Sequence, residues 1–249
     1  LGEEITFNNA TRIPIFAFHR LMPNDDKTTR APHDEWIQSV DVFEKQMEFL
    51  YNNHIKTISM DQLYCWYKGL CVFSPNTAVI TFDDGNDEDY FLALPILEKY
   101  NLKATSFIVG SRTEEDGRKE YNPKYRKFIT NAMIEDVSNN YSNLDFQNHS
   151  WNLHRKQNGK GVALSLSEEE INSDFEKMSS FKFSYFAYPY GHYNDTFKEA
   201  VKDSDYKLAF TFGPTYNYVT RNSYPYEIPR IKINGESTVD TIKKYFRCD

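Results

Sequence analysis

The most informative segment of this chain is Thr77-Ala78-Val79-Ile80-Thr81-Phe82-Asp83-Asp84-Gly85. Its first six residues form an apolar run typical of a buried β-strand. Two carboxylates and a glycine then follow at the carboxyl end of that strand, where α/β folds and barrels carry their chemistry. Side chains alternate along a strand, so a turn at Gly85 is needed to bring Asp83 and Asp84 into one pocket, one to bind a cation and the other to accept a proton. The competing interpretation is a strand-to-helix turn in which Asp84 or Asp87 caps the helix.

The flanking sequence alternates strands with helices, which predicts right-handed βαβ crossovers and a largely parallel sheet. The predicted strands are residues 13–18, 55–58, 77–82, 104–109, 144–147, 183–187, 208–212 and 228–233. The predicted helices are residues 34–53, 60–68, 90–100, 123–137, 167–180, 194–203 and 237–246, with a polar loop over 20–33 and a possible kink at Pro95. About eight short strands favour a closed or nearly closed barrel over an open sheet.

The length of the chain fits one large α/β domain or two small ones. With 249 residues, of which 40% are hydrophobic, the chain is large enough for one α/β domain, and we interpret residues 1–249 as a single domain. The net charge of −7 argues against a nucleic-acid partner. The sequence contains no run of 18 apolar residues, so it does not predict a membrane span. We expect a monomer.

The cysteines leave two interpretations open. Cys65 and Cys71 lie six residues apart with Gly69 between them, so they could form a small disulfide in an exported protein or remain buried free thiols. Neither they nor Cys248 has the spacing of a metal site. The chain begins at Leu1, and we expect an extracellular or cell-surface location with a targeting segment that is not visible.

Four further features lie at the ends of predicted strands. His149 and His154, together with one carboxylate, would make a His₂Asp set that leaves water positions open, as catalytic zinc sites do; the alternative is two polar loop histidines. The turn Tyr188-Pro189-Tyr190-Gly191 could aim a backbone N–H at an oxyanion or be an ordinary turn. His19 follows an apolar strand and could be structural. Arg230 could pair with Asp83 or Asp84, or form a surface ion pair.

Taken together, these motifs resemble those of the polysaccharide deacetylases with a NodB-type domain, the family-four carbohydrate esterases. The matching positions run from about Pro14 to Ile233. The resemblance implies a distorted (β/α)₇ barrel that removes N-acetyl groups from N-acetylglucosamine polymers with a divalent metal, usually Zn²⁺. By position, Asp83 resembles the general base, and Tyr190 matches the residue whose backbone N–H helps to hold the oxyanion. The residues that resemble the metal triad are Asp84, His149 and His154.

The sequence departs from most of the family in two ways. Most members space the two histidines four apart and have an arginine where Ala187 stands, and most have a general-acid histidine near the C-terminus, whereas this chain has none beyond His192. The five-residue spacing and Phe16-Ala17-Phe18-His19 are similar instead to the circularly permuted subgroup that deacetylates poly-β-1,6-N-acetylglucosamine. By that resemblance His19 is the candidate general acid, with His192 as its competitor, and Arg230 the candidate replacement for the arginine.

The sequence therefore predicts a hydrolase that removes N-acetyl groups from a polysaccharide resembling poly-N-acetylglucosamine. The substrate-binding residues are predicted to be Trp151, Tyr188, Pro189 and Tyr190. Alternatives are deacetylation of chitin or peptidoglycan, O-deacetylation of xylan, and a non-catalytic carbohydrate-binding barrel. The complete set of ionisable candidates counts against the last, because binding alone does not require them.

Overall fold

A computed structural model describes residues 9–115, 118–213 and 218–246 of the chain. The strands are β1 (Arg12–Ile13), β2 (Ile15–Phe18), β3 (Arg20–Met22), β4 (Ile37–Ser39), β5 (Lys56–Thr57), β6 (Thr77–Asp84), β7 (Ala104–Ile108), β8 (Leu144–Asn148), β9 (Lys156–Gln157), β10 (Lys160–Gly161), β11 (Tyr185–Ala187), β12 (Leu208–Phe210), β13 (Val219–Thr220) and β14 (Ile231–Lys232). The α-helices are α1 (Asn24–Arg30), α2 (Val40–Asn52), α3 (Met60–Tyr67), α4 (Leu94–Lys99), α5 (Asn131–Asn140), α6 (Glu168–Glu176), α7 (Asp195–Asp203) and α8 (Val239–Lys243).

The main sheet is parallel and curls toward a barrel. Its strand order is β12-β11-β8-β7-β6-β2-β14, and β5 makes an additional parallel pair with β6. Isolated parallel bridges join Phe210 to Ile228 and Gly213 to Ile231, so the chain leading into β14 also reaches the opposite edge strand, β12. The predicted α/β class and distorted (β/α)₇ barrel are confirmed, and the first strand of the barrel neighbours the last, as closure requires.

Strand β6 lies in the middle of this sheet, with all eight residues buried. Because side chains alternate, Val79, Thr81 and Asp83 share one face of the strand. Val79 packs among apolar residues from several other strands, including Phe107 and Phe210, whereas Ile80 packs on the opposite face in the cluster that includes residues of α2 and α4. Asp83 therefore belongs to the inner face of the barrel.

Three segments differ from the sequence prediction. Residues 20–33, predicted as a polar loop, contain β3 and α1. The helix predicted from residue 34 begins at Val40, because residues Ile37–Ser39 pair with β3 as β4 and the Ser39 hydroxyl caps the helix. The helix predicted from residue 123 begins only at Asn131, where Thr130 is the N-cap.

The ends of other elements follow local signals more closely. A capping box at Ser167 and Glu170 opens α6 as predicted. Pro95 lies in the first turn of α4, and the preceding Asp89–Ala93 segment is a π-helical turn, so the proline marks a change of helix type within the predicted helix. Cys65 and Cys71 form a disulfide with their Cα atoms 5.3 Å apart, which resolves the two interpretations in favour of the bridge. Among the described helices, none has the length and apolar character needed to cross a membrane.

Candidate active site

Two residues with positive φ bring both carboxylates of the Asp83-Asp84 pair to one cleft. Asp84 has φ 79° and Gly85 has φ 67°, so the chain turns sharply as β6 ends. A Cβ on Gly85 would lie 2.9 Å from the side chain of Ile108, so the turn requires glycine for its conformation and for space. The following helical turn has Glu88 at its N-cap position without a side-chain cap, so neither Asp84 nor Asp87 caps it, and that alternative is wrong.

Asp84, His149 and His154 converge at the end of the sheet. One ligand atom from each lies within 4.8 Å of the others. Oδ1 of Asp84 is 2.8 Å from Nε2 of His154 and 3.8 Å from Nε2 of His149. The Nδ1 atom of His149 is 2.7 Å from the carbonyl oxygen of Ala187, to which it donates, and this leaves its Nε2 lone pair directed at the cluster.

The five-residue spacing of the histidines is set by a tight turn between them. Ser150 has φ 76°, and its backbone N–H donates to the side chain of Asn148. The carboxylate of Asp174, on α6, accepts from the backbone N–H groups of both Trp151 and Asn152. The turn is therefore fixed at both ends, which lets two histidines five residues apart face one carboxylate.

Asp83 lies beside this cluster and is held by a buried arginine. Arg230 donates from Nη1 and Nη2 to the two carboxylate oxygens at 2.7 Å each, and its Nε donates to the carbonyl of Thr211 at 2.9 Å. Burial alone would raise the pKa of Asp83, but the charge of Arg230 outweighs it together with the nearby histidines and holds that pKa below its usual value. The predicted pairing of Arg230 with an active-site aspartate is present, on Asp83.

His19 faces Asp83 from the adjacent strand. Its Nε2 lies 4.0 Å from Oδ2 of Asp83, and its Nδ1 is buried without a hydrogen-bond partner. The ring packs between Trp36 and Phe212, with centroid distances of 4.7 and 5.1 Å. Burial lowers the pKa of His19, and the charges of Asp83 and Asp84 only partly oppose this.

The ionisation of the triad is also shaped by burial. Burial lowers the pKa of His149 to about 4, so this imidazole is neutral at physiological pH and offers a lone pair. Burial favours the protonated form of Asp84, but the hydrogen bond and charge of His154, with the charges of His19 and His149, hold its pKa well below the usual value. Asp84 is therefore a carboxylate throughout the physiological range.

The predicted substrate-binding residues separate into two groups. Tyr190 lines the cleft with φ 61°, and its ring lies 4.3 Å from that of His154, centroid to centroid. Tyr188 and Pro189 are buried beneath the cleft, the tyrosine with its hydroxyl on the carbonyl of Tyr226. Trp151 packs against the main core and is not among the residues that line the cleft. Residues two apart on a strand would share a face, but β11 ends at Ala187 and Tyr190 has positive φ within the Pro189–Gly191 turn, so the two tyrosines point in different directions.

Several cleft residues were not identified from the sequence. The cleft has a volume of about 530 Å³. Besides the predicted residues it is lined by Arg20, Asp34, Trp36, Arg112, Arg126, Lys156, Gly191, His192 and Phe212. His192, the competing candidate for the general acid, belongs to the lining, where its Nδ1 accepts from the backbone N–H of Gly161. Most of the others come from loops whose path the sequence pattern does not specify. Trp36 was the exception, because a tryptophan beside a long polar segment is a signal that the sequence alone provides.

The acidic run that follows Gly85 is buried. Glu88 is 1% exposed and pairs with Arg20 through Nη2 at 2.5 Å, while Asp87 pairs with Arg118 at 2.9 Å. Asp89 accepts from the hydroxyl of Ser106 at 2.6 Å. Burial raises the pKa of Glu88 to about 7 against the opposing effect of Arg20. The run thus anchors the neighbouring segments, and the high density of acids after Gly85 was the signal that could have indicated it.

The barrel carries an Asp-Asp pair and two histidines at one mouth, and three of these side chains form a group that could hold a metal ion. The family model described as "Polysaccharide deacetylase" matches residues 72–209, which is more than half of the chain. The chain belongs to the polysaccharide deacetylase family, and it is therefore an amide-hydrolysing enzyme of that class.

Individual relatives agree with the family. The chain is 28% identical over 211 residues to the poly-β-1,6-N-acetyl-D-glucosamine N-deacetylase of Staphylococcus aureus strain MSSA476, covering 82% of this chain and 70% of that protein. It is 24% identical to the putative polysaccharide deacetylase YxkH of Bacillus subtilis strain 168, covering 90% of this chain and 72% of that protein.

Solved structures share the fold. The Streptococcus pyogenes deacetylase PplD in complex with acetate has a TM-score of 0.77 at 21% identity, covering 95% of this chain and 98% of that one. IcaB from Ammonifex degensii also has a TM-score of 0.77, at 20% identity, covering 96% of this chain and 99% of that one. At this identity the likeness shows that the barrel is shared.

Proposed function

We propose that this enzyme hydrolyses the N-acetyl groups of an N-acetylglucosamine polymer, with poly-β-1,6-N-acetylglucosamine as the favoured substrate. The observation that carries the proposal is the Asp84-His149-His154 cluster directly beside Asp83 and its partner Arg230. The relative that acts on the β-1,6 polymer, by its name, supports the choice of linkage. The disulfide between Cys65 and Cys71 supports a location outside the cytoplasm, since such bonds persist in oxidising compartments.

The donor set of the triad fits a divalent cation of the zinc type. Two imidazole nitrogens and one carboxylate oxygen are the ligands of many catalytic zinc sites, which keep further positions open. The bond from His149 Nδ1 to the Ala187 carbonyl is the outer contact that orients such a ligand. A divalent cation held by Asp84, His149 and His154 would polarise the acetyl carbonyl and lower the pKa of a water molecule.

The protein groups around that position then divide the proton transfers. Asp83, kept ionised by Arg230, accepts the proton of the attacking water. The backbone N–H of Tyr190, at the mouth of the cleft, helps to stabilise the oxyanion. His19, facing Asp83 at 4.0 Å, donates the proton that the leaving amine requires. Hydrolysis yields a free amine on the sugar and acetate.

Acetate release from N-acetylglucosamine oligomers tests the proposal. We expect the zinc-loaded enzyme to release acetate faster from β-1,6-linked than from β-1,4-linked oligomers, and chelation to abolish both activities. His154→Ala should reduce metal content at least about tenfold, because losing a ligand costs more than losing an outer-shell partner. The exposed His33 provides the matched control, and His33→Ala should retain the metal. Full metal occupancy in His154→Ala would show that the triad is misassigned, and faster β-1,4 hydrolysis would indicate a chitin- or peptidoglycan-type substrate.

The general-acid assignment can be tested by comparing two leaving groups. His19→Ala should slow amide substrates by about 10²–10⁴ and activated acetyl esters far less, because an ester leaving group of low pKa needs little protonation. Since burial lowers the pKa of His19, the amide rate should begin to fall with rising pH below the ordinary histidine value. The ratio of the two losses is the measurement. Equal losses on both substrates, or a larger amide-specific loss in His192→Ala, would assign the acid role elsewhere.

A further inference from the structure

Two arginines converge on the carboxylate of Asp84. Nη2 of Arg126 donates to Oδ2 of Asp84 at 2.8 Å, and Nη1 of Arg112 lies 3.8 Å from Oδ1. Arg112 ends the short helical turn after β7, whereas Arg126 lies in the loop before α5. Both guanidinium groups also flank the ring of Phe128, at 5.3 and 5.2 Å from its centroid. We refer to Arg112 and Arg126 as the arginine pair.

The charge around the arginine pair is not balanced by nearby acids. Among the described residues, the acids that follow or adjoin Asp84 have other arginine partners: Asp83 pairs with Arg230, Glu88 with Arg20, and Asp87 and Glu114 with Arg118. Asp84 alone faces both members of the pair, and it is also the carboxylate ligand of the proposed cation. The two guanidinium groups therefore carry one positive charge more than the single carboxylate that they face, which favours an anion.

Of the two guanidinium groups, that of Arg112 has a buried nitrogen atom, Nη1, without a hydrogen-bond partner. Its Nη2 donates to the carbonyl and to Nδ1 of His154, at 3.0 and 3.1 Å. A guanidinium cannot accept, so Nδ1 must be the acceptor in this contact. A neutral imidazole that binds a cation through Nε2 carries its proton on Nδ1, so Arg112 would lose that acceptor whenever the triad holds a metal.

We propose that the arginine pair is a carboxylate-binding subsite beside the triad. The inference rests on the proposed function, because a cation bound by the triad would remove the His154 Nδ1 acceptor from Arg112 and would neutralise the charge of Asp84. Guanidinium groups bind carboxylates through paired hydrogen bonds, and both groups line the same cleft. The carboxylate has two possible sources: the acetate released by hydrolysis, or an acidic substituent on the polysaccharide.

Direct binding to the metal-loaded full chain tests the subsite without requiring turnover. The probes are sodium acetate and the matched sugars N-acetylglucosamine and N-acetylmuramic acid, which differ by a lactyl carboxylate, titrated by NMR. The variants are Arg112→Gln, Arg126→Gln and the double variant, and Arg30→Gln is the control because Arg30 is an exposed arginine of α1 outside the cleft. Metal content is measured for each. We expect each cleft substitution to weaken carboxylate binding about tenfold or more, and the control to leave it unchanged.

The outcomes separate the two sources and can overturn the subsite. Weaker binding of acetate in the variants, with an unchanged preference between the two sugars, assigns the pair to the product. Loss of the preference for N-acetylmuramic acid over N-acetylglucosamine assigns it to an acidic substituent. Unchanged binding of both carboxylates would overturn the proposal, and so would a large loss of metal from the variants, which would make the pair a support for Asp84. Because neither readout depends on hydrolysis, the result stands apart from the test of the proposed reaction.

Discussion

Asp83→Asn should lower the turnover of N-acetyl substrates by about 10²–10⁴, the range expected when a general base is removed. The amide cannot accept the proton of the attacking water. Asparagine has nearly the same shape, and Asp84, His149 and His154 are untouched, so metal content should not change. Acetate release measures the turnover, and elemental analysis of the same preparations measures the metal content. Since Arg230 holds the pKa of Asp83 below its usual value, the wild-type enzyme should keep its base ionised down to acidic pH.

A half-buried aspartate on β8 provides the control for this substitution. Asp145 accepts hydrogen bonds from Thr105 and Gln147, and burial raises its pKa to about 6, but it does not line the cleft. Asp145→Asn should therefore leave turnover near the wild-type value. If Asp83→Asn retained near-normal turnover with full metal content, Asp83 would be a structural partner of Arg230 and the base would have to be sought elsewhere.

The position of His19 shows how far the sequence could specify the site. Alternation of strands and helices predicted a parallel barrel, and closure required its first strand to lie beside its last. In the structure β2 also pairs with β6 in the register Phe18 to Phe82, so His19 and Asp83 follow at the same level. The meeting of these two side chains thus follows from parallel pairing. Their roles in proton transfer remain predictions.

Backbone conformation was the part of the site that residue types could not indicate. Asp84, Ser150 and Tyr190 all have positive φ, which is uncommon for residues other than glycine. The sequence marked only the glycines beside two of these turns. The direction of each side chain depends on contacts from distant segments, such as the bonds from Asp174 on α6 to the 149–154 turn. For the same reason Trp151 was predicted to bind the substrate, whereas its side chain packs against the core and does not line the cleft.

The arginine pair was missed for a different reason. Arg126 was placed within a predicted helix over 123–137, but this helix begins at Asn131 and the preceding residues form a loop that crosses the end of β6. The loop is held there by the bond from Ile129 N–H to the Gly85 carbonyl and by the bridge between Asn86 and Phe128. Such contacts between segments 40 residues apart leave no local pattern, so loop arginines could not be assigned to the cleft.

Arg230→Met should lower the free energy of unfolding by about 3–5 kcal/mol, because it leaves Asp83 as an uncompensated buried charge. Arg230 is 1% exposed, and besides Asp83 it contacts Thr81 of β6 and the carbonyl of Thr211 beyond β12. The side chain therefore ties the closing segment of the barrel to its central strand. Denaturant unfolding measures the loss. Arg221→Met is the matched control, since within the part of the chain that the structure describes the hydrogen bonds of Arg221 go to the backbone carbonyls of Trp66 and Cys71 and not to a carboxylate.

The stability difference between the wild type and Arg230→Met should depend on pH. In the wild type the folded-state pKa of Asp83 is depressed, so the pair contributes stability above the unfolded pKa of about 4 and loses it as the pH falls through the folded value. Without Arg230, burial should raise that pKa, so the variant loses stability as the pH rises above about 4. The stability difference should therefore be largest near neutrality and shrink below pH 4, and the acid limb of activity should move to higher pH. In the double variant Asp83→Asn/Arg230→Met neither side chain of the pair is charged, so no unpaired charge is left at this position and part of the lost stability should return. A loss that is independent of pH, or a double variant whose total loss equals the sum of the two single losses, would mean that the two side chains are not energetically coupled.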